Sequence, residues 1–389
     1  MSTSSSQESL PVAPPRPLQG DGVVHEIQWS DALPWWLLFR AAGHAFAPTV
    51  ILLAALGALA TWGGWSLCDR LDLFAGKTLA AVSTPAAASL PASGISDPAL
   101  QEWLVRWLPG PAATLMQLVA VPFRPSATLA EMAGALVRIA WFVAVWSIFG
   151  TAIARCVGLK LAGEEALGLT GALWFGSRKW LAAFNSVAFV LAGILALSVP
   201  GAILGLLMRS DWGLAFAGAI WPLVLAGAVV LSILAVGVVA GWPLMVGAVG
   251  VERGDSFQAI STAFSYLYQR PLHYIFYGLI ALAVSLPALA AASLFATATS
   301  TLALWAASLG MGHDRTVAVL DGLHAAGGAA PWGIQALGFW TRGLEAILGS
   351  FGWGYFWAIA TAAYMLLRRD VDGTELDEVV VDELPGESA

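Results

Sequence analysis

Side chains able to do chemistry are scarce in this chain, and the densest group lies in one stretch. Between Gly241 and His273 (GWPLMVGAVGVERGDSFQAISTAFSYLYQRPLH) an apolar run gives way to Glu252, Arg253 and Asp255. A second polar group, Gln269, Arg270 and His273, precedes the next apolar run. Carboxylates and guanidinium groups bracketing a short segment at a membrane face could contact a lipid headgroup or a partner protein. The plainer alternative is interfacial anchoring with local ion pairs. An enzyme acting on lipid would need acid, base or metal ligands converging at one membrane face. His273 with Glu252 is the single pairing of that kind to inspect.

Other reactive residues carry less. His313-Asp314 and Asp321-x-x-His324, with Glu345 beyond, are of ligand type. They lack an HExxH or Cys/His framework and read as a solvated loop. The two cysteines, Cys68 and Cys156, flank different apolar runs and are expected on opposite sides of the membrane, so no disulfide is expected. No GxSxG, GxxxxGK[ST] or GxGxxG pattern sits in the strand–helix context it needs. The sequence therefore assigns no catalytic, cofactor-binding or metal residue, and no cofactor.

The elements that must position the charged stretch follow from composition. Of 389 residues, 58% are hydrophobic and 11% charged, against about 45–50% and 25% in soluble proteins. A water-facing surface needs more charge than this. The nineteen Trp suit headgroup-level positions. The net charge of −7 is concentrated: eight carboxylates lie in residues 370–389 and the rest is nearly neutral. Nothing in that balance favours nucleic acid.

Residues 1–28 read as a disordered tail rich in Ser, Pro, Gln and Gly, without the basic and apolar regions of a signal peptide. A short surface helix is expected over 29–45, capped by Ser30 or Asp31 with Pro34 in its first turn. Six apolar runs follow, at about 46–67, 133–156, 180–207, 214–249, 272–298 and 344–367, each long enough for a core of about 30 Å. Long connectors are expected at 68–131 and 299–342. The first holds an amphipathic helix near Pro98–Leu108 and an apolar segment within 109–123. The expected domain is thus an all-α, polytopic bundle of six spans over 29–369, followed by an acidic disordered tail, 370–389.

Lys and Arg favour one orientation. The N-terminus, the 2–3 and 4–5 connections and the C-terminus carry ten of them in short segments. The other side carries eight, spread over long connectors that obey the positive-inside rule poorly. Both termini are therefore placed in the cytoplasm, and the protein in the cytoplasmic (inner) membrane.

Within the charged stretch, Asp255 followed by Gln258 has capping-box spacing. The expected helix is amphipathic, with Phe257, Ile260, Phe264 and Leu267 apolar, and lies on the cytoplasmic face. A fainter copy lies 91 residues upstream. Gly163–Trp180 falls over Gly254–Pro271 with two identities and five conservative matches in eighteen positions, and spans two and three fall on four and five. This reads as a duplicated two-span unit joined by amphipathic cytoplasmic elbow helices. Pro200 and Pro287 hold similar places in spans three and five, where paired interruptions mark an inter-repeat hinge or a transporter site. Against transport, spans one, three, four, five and six carry no Asp, Glu, Lys or Arg in their cores.

ERGDSFQAISTAFSYLYQRP, set between two spans with an upstream echo, resembles a broad set of uncharacterised bacterial six-span proteins. It is similar in layout to the membrane domain attached to some glycerophosphodiester phosphodiesterases. The resemblance covers about residues 140–300 and rests on layout more than residues. It implies fold and no substrate, because the chain has no phosphodiesterase domain; the connector 68–131 and the acidic tail depart from the pattern. The expected role is a non-enzymatic scaffold or helper in the bacterial envelope. Its partners would be the lipid bilayer and other membrane proteins or a second copy of itself. The alternative is a permease or channel-like protein for an uncharged or lipid-like solute.

Overall fold

The structure is a computed structural model that describes residues 33–70, 128–324 and 331–379. The N-terminal tail, most of the connector 68–131 with its amphipathic and apolar segments, and residues 380–389 lie outside the described residues. Among the described residues the regular elements are all helices: α1 (Trp36–His44), α2 (Pro48–Arg70), α3 (Leu129–Ala162), α4 (Leu169–Leu207), α5 (Asp211–Glu252), α6 (Ser256–Gln269), α7 (Pro271–Met311), α8 (His313–His324), α9 (Trp332–Gly349) and α10 (Phe351–Asp372). Six stretches are long and apolar enough to cross a membrane, with α9 and α10 counted together. The chain is a multi-pass integral membrane protein.

Local chemistry sets the helix ends. Thr128 and Glu131 form a reciprocal capping box at the start of α3. Gly163, with φ of 90°, closes the same helix in the left-handed region that glycine enters without a Cβ penalty. Ser210 accepts from the Gly213 amide and turns α4 sharply into α5.

Two expectations about connections are corrected. The described residues of 299–342 are mostly helical: α7 continues to Met311, and α8 and then α9 follow. Thr297, Thr299, Ser300 and Ser308 lie inside α7 and do not end it. The hydroxyls of Thr299, Ser300 and Ser308 bond back to carbonyls three or four residues earlier. The sixth span begins earlier than 344 and breaks at Ser350, whose hydroxyl donates to the Ile347 carbonyl. The short helix at the start also differs: α1 buries Leu37, Leu38, Ala41 and Ala42 in the protein core, packed against α10.

Burial divides the molecule into two zones. At the elbow end, inner α3, inner α5, α6, α10 and α1 make a close-packed knot. From Trp242 to Val251 nearly every residue of α5 is buried, as is α10 from Trp357 to Leu367. Elsewhere α4, outer α5, α7 and α9 present Leu, Val, Phe and Trp outward, as a bilayer-facing surface does. This division accounts for helix length. At 1.5 Å per residue, α4, α5 and α7 run about 58–63 Å, about twice a hydrocarbon core of roughly 30 Å. About 15 Å of the excess of α5 is the Trp242–Val251 stretch enclosed in the knot.

The knot is tight because small residues face large ones. Phe142, Trp146, Trp242, Trp353 and Trp357 form one ring cluster, with Trp146 and Trp353 stacked at 4.5 Å. A Cβ on Gly250 would sit 2.6 Å from the Ala154 Cβ, and one on Gly176 2.4 Å from the Ile148 carbonyl oxygen. Gly250→Leu should therefore lower stability by about 1–3 kcal/mol through overpacking. Gly227→Ala, where nothing lies within 4 Å, should leave it unchanged or raise it by up to about 1 kcal/mol. Thermal unfolding of both variants in the same detergent checks this.

Candidate functional site

The charged stretch is built from the C-terminus of α5. A helix end leaves carbonyls without partners and carries partial negative charge. Here two cations from neighbouring helices supply what the chain cannot. Lys179 Nζ donates to the Arg253 carbonyl at 2.6 Å, and Arg155 Nη1 donates to the Val251 carbonyl at 3.3 Å. Arg155 is buried in α3 with its guanidinium 5.2 Å from the Phe175 ring centroid. Arg253 itself ends α5 in the left-handed region, with φ of 62°, and its amide donates to the Val249 carbonyl. A non-glycine residue there costs about 1–2 kcal/mol, and the bonds around it hold it in place.

Glu252 is the centre of the polar knot. Its Oε1 lies 3.0 Å from Arg368 Nε and accepts from the Tyr364 hydroxyl. Its Oε2 accepts from Gln258 Nε2 at 3.0 Å. Asp255 caps α6 by accepting from the Gln258 amide at 2.8 Å. Gln258 thus ties the helix cap to the ion pair. Two further tyrosines reach the same end of α10: Tyr266 donates to Asp372, and Tyr277 donates to Asp370 at 2.7 Å. Arg368 Nη1 also donates to the Glu378 carbonyl at 2.7 Å.

The last of these contacts corrects the expected tail. The acidic segment does not leave into solvent at 370. Asp370 and Asp372 belong to α10, and Leu376 and Val379 fold back against the core. Two apolar side chains and one carbonyl gripped by Arg368 are enough to hold that turn.

The elbow helix also differs from expectation. α6 folds back along α5: Gln258 meets Glu252, Ala263 approaches Gly241, Phe264 lies on Gly237, and the Tyr268 hydroxyl donates to the Ile233 carbonyl. Its buried stripe is Ala259, Ala263, Tyr266 and Leu267. Phe257 is 68% exposed and stacks on Phe189 at 5.1 Å. The glycines of α5 make room for this face: Gly241 admits Ala263, and Gly237 leaves space that the Phe264 ring fills. The upstream stretch forms no separate helix, since α4 runs unbroken from Leu169 through Trp180.

Of the other singled-out residues, Gln269 Nε2 donates to the Ser265 hydroxyl at 2.7 Å on the exposed side of α6. Arg270 is exposed at the break between α6 and α7, where Pro271 opens the next helix. His273 is exposed, with its ring 6.3 Å from that of Tyr277. Glu252 is thus engaged by Arg368, Tyr364 and Gln258, and the acid–base pairing with His273 is not what the knot uses. Pro200 and Pro287 are both exposed within their helices. A cavity of about 570 Å³ lies between α3, α4 and α5, and neither proline lines it. Among the described residues no group of three or more His, Cys, Asp or Glu gathers as a metal set.

Sequence reasoning missed Tyr364, Arg368, Tyr266, Tyr277, Lys179 and Arg155 as members of this site. Arg368 read as a charge ending a span. One signal was present: most of the chain's six tyrosines sit at 266, 268, 274, 277 and 364, close to the elbow or the last span. A phenol in an apolar helix needs an acceptor.

The chain matches no family model, no curated protein and no solved structure.

Burial, followed by the bond to Asp372, raises the Tyr266 phenol above its ordinary value of 10. An acid raised in the folded state contributes stability that is complete below its unfolded value and is lost as pH rises past it. Wild type should therefore lose stability above about pH 10 more steeply than Tyr266→Phe, measured by unfolding across alkaline buffers. Arg368→Ala strands the Glu252 carboxylate in a largely buried setting and should cost about 3 kcal/mol at neutral pH.

Proposed function

We propose that the protein is a non-enzymatic scaffold or helper in the bacterial cytoplasmic membrane, with both termini cytoplasmic. The observation that carries this reading is the Glu252–Arg368 knot. Its charged and phenolic groups hold α5, α6, α7 and α10 to one another. A constellation whose polar atoms already satisfy each other is suited to fixing shape. The exposed rim of the knot, with Arg270 and His273 outside it, is where a lipid headgroup, another membrane protein or a second copy would make contact. The resemblance in layout read from the sequence leans toward a structural role over a chemical one.

A second reading, a permease for an uncharged or lipid-like solute, draws on the apolar cavity between α3, α4 and α5. Efflux of a neutral lipid-like probe from vesicles containing the purified protein separates the two. Under the scaffold reading efflux matches that of empty vesicles.

Replacing both Arg253 and Arg270 with Ala should leave membrane insertion and folding intact. It should remove the membrane protein or anionic lipid that co-purifies with the full chain in mild detergent. Unchanged capture would overturn the contact site.

A further inference from the structure

We propose that the cleft between α3, α4 and α5 holds one acyl chain of a bilayer phospholipid. Three helical stripes face one another there: Met132 to Val143 on α3, Val187 to Ser198 on α4, and Ala228 to Trp242 on α5. The space exists because α5 places Ala228, Ser232 and Ala235 on one face at helical spacing, where larger side chains would fill it. The cavity, about 570 Å³, is within the usual range for small-ligand sites.

Its polarity selects the occupant. The Ser198 hydroxyl donates to the Leu195 carbonyl at 2.7 Å, and the Ser232 hydroxyl to the Ala228 carbonyl at 2.8 Å. Both are thus engaged by their own helices, and the remaining lining is apolar apart from the edge of Trp242. A polar solute would lose its hydration there with little in return. A hydrocarbon chain loses nothing and gains close contact along three helices.

Its depth selects the same occupant. The stripe on α3 spans twelve residues, about 16 Å from first to last along the helix. That is half of a hydrocarbon core of roughly 30 Å, the thickness of one leaflet. Trp242 forms the floor, packed between Phe142 and Trp357 at 5.6 and 5.3 Å. The open side is continuous with the surface that α4 and α5 present to the bilayer, where Leu195, Val230 and Val236 are exposed. The acyl chain therefore enters sideways from the bilayer, through that open side. The site requires the bundle to lie in a bilayer and requires nothing from the scaffold reading.

The test uses the full chain reconstituted in vesicles of phosphatidylethanolamine and phosphatidylglycerol. The protein is re-extracted, washed in lipid-free detergent and weighed by native mass spectrometry. The unaltered chain should retain a single phospholipid. Ala235→Trp, which fills the cleft, should lower that retention by about tenfold or more. Val230→Trp, on the adjoining bilayer-facing surface, should retain lipid as the unaltered chain does. Absence of bound phospholipid on the unaltered chain would overturn the proposal, with no variant needed. Equal retention by Ala235→Trp and Val230→Trp would overturn it too, as would recovery of a free fatty acid or a partner protein in the lipid's place.

Discussion

The constraint on which the rest of this structure depends is that polar groups at helix ends must find partners close to an apolar medium. The C-terminus of α5 is largely enclosed, with Val249 to Val251 buried and Glu252 and Arg253 half-buried. Its last carbonyls are met by Lys179 and Arg155, reaching in from α4 and α3. Its last carboxylate, on Glu252, is met by Arg368 from α10. Each of these partners belongs to a different helix. Satisfying one helix end therefore ties it to three others, and two of those, α3 and α10, also carry the Trp cluster that packs on α5. Polar satisfaction and close packing are thus gathered at one end of the molecule.

This gathering explains why the two ends of the molecule differ. At the elbow, cations, carboxylates and phenols draw helices together, and small residues such as Gly247 and Gly250 let α5 touch Tyr364 and Ala154. Away from it, between Trp180 and Met208 and between Trp212 and Val251, the chain carries no charged residue. In hydrocarbon no hydrophobic force gathers such helices, because lipid covers them as well as a neighbour does. There fewer side chains are enclosed, and the cleft beside Trp242 lies between α3, α4 and α5.

The all-helical architecture and the number of spans were legible because they follow from composition and run length, which are properties of single segments. The cap at Asp255 was legible because a capping box is local. Connections between helices far apart in the chain were not. Arg368 and Glu252 are separated by more than a hundred residues, and nothing at either position names the other. Tyr266 could not be matched to its acceptor, because Asp372 lies in a segment that composition assigned to solvent. The face of α6 was legible in part. Leu267 is buried and Ile260 and Phe264 pack against the core, whereas Phe257 is exposed and the small Ala259 and Ala263 take the innermost positions, Ala263 against Gly241.

The two stretches aligned at the 91-residue offset show how one residue changes a junction. At Arg270–Pro271 the helix breaks, because proline lacks the amide that would bond back and its ring crowds the preceding turn. That break frees α6 to fold along α5 and deliver Tyr266 to α10. At Lys179–Trp180 nothing prevents continuation, and α4 passes straight through. The upstream stretch therefore cannot swing toward α10. Lys179 instead stays on a rigid helix, where it reaches the end of α5. A bent elbow that brings helices together and a straight one that caps its neighbour are complementary, and each needs the other's geometry. Identical copies of either form would leave the C-terminus of α5 without its cation or α10 without its phenol.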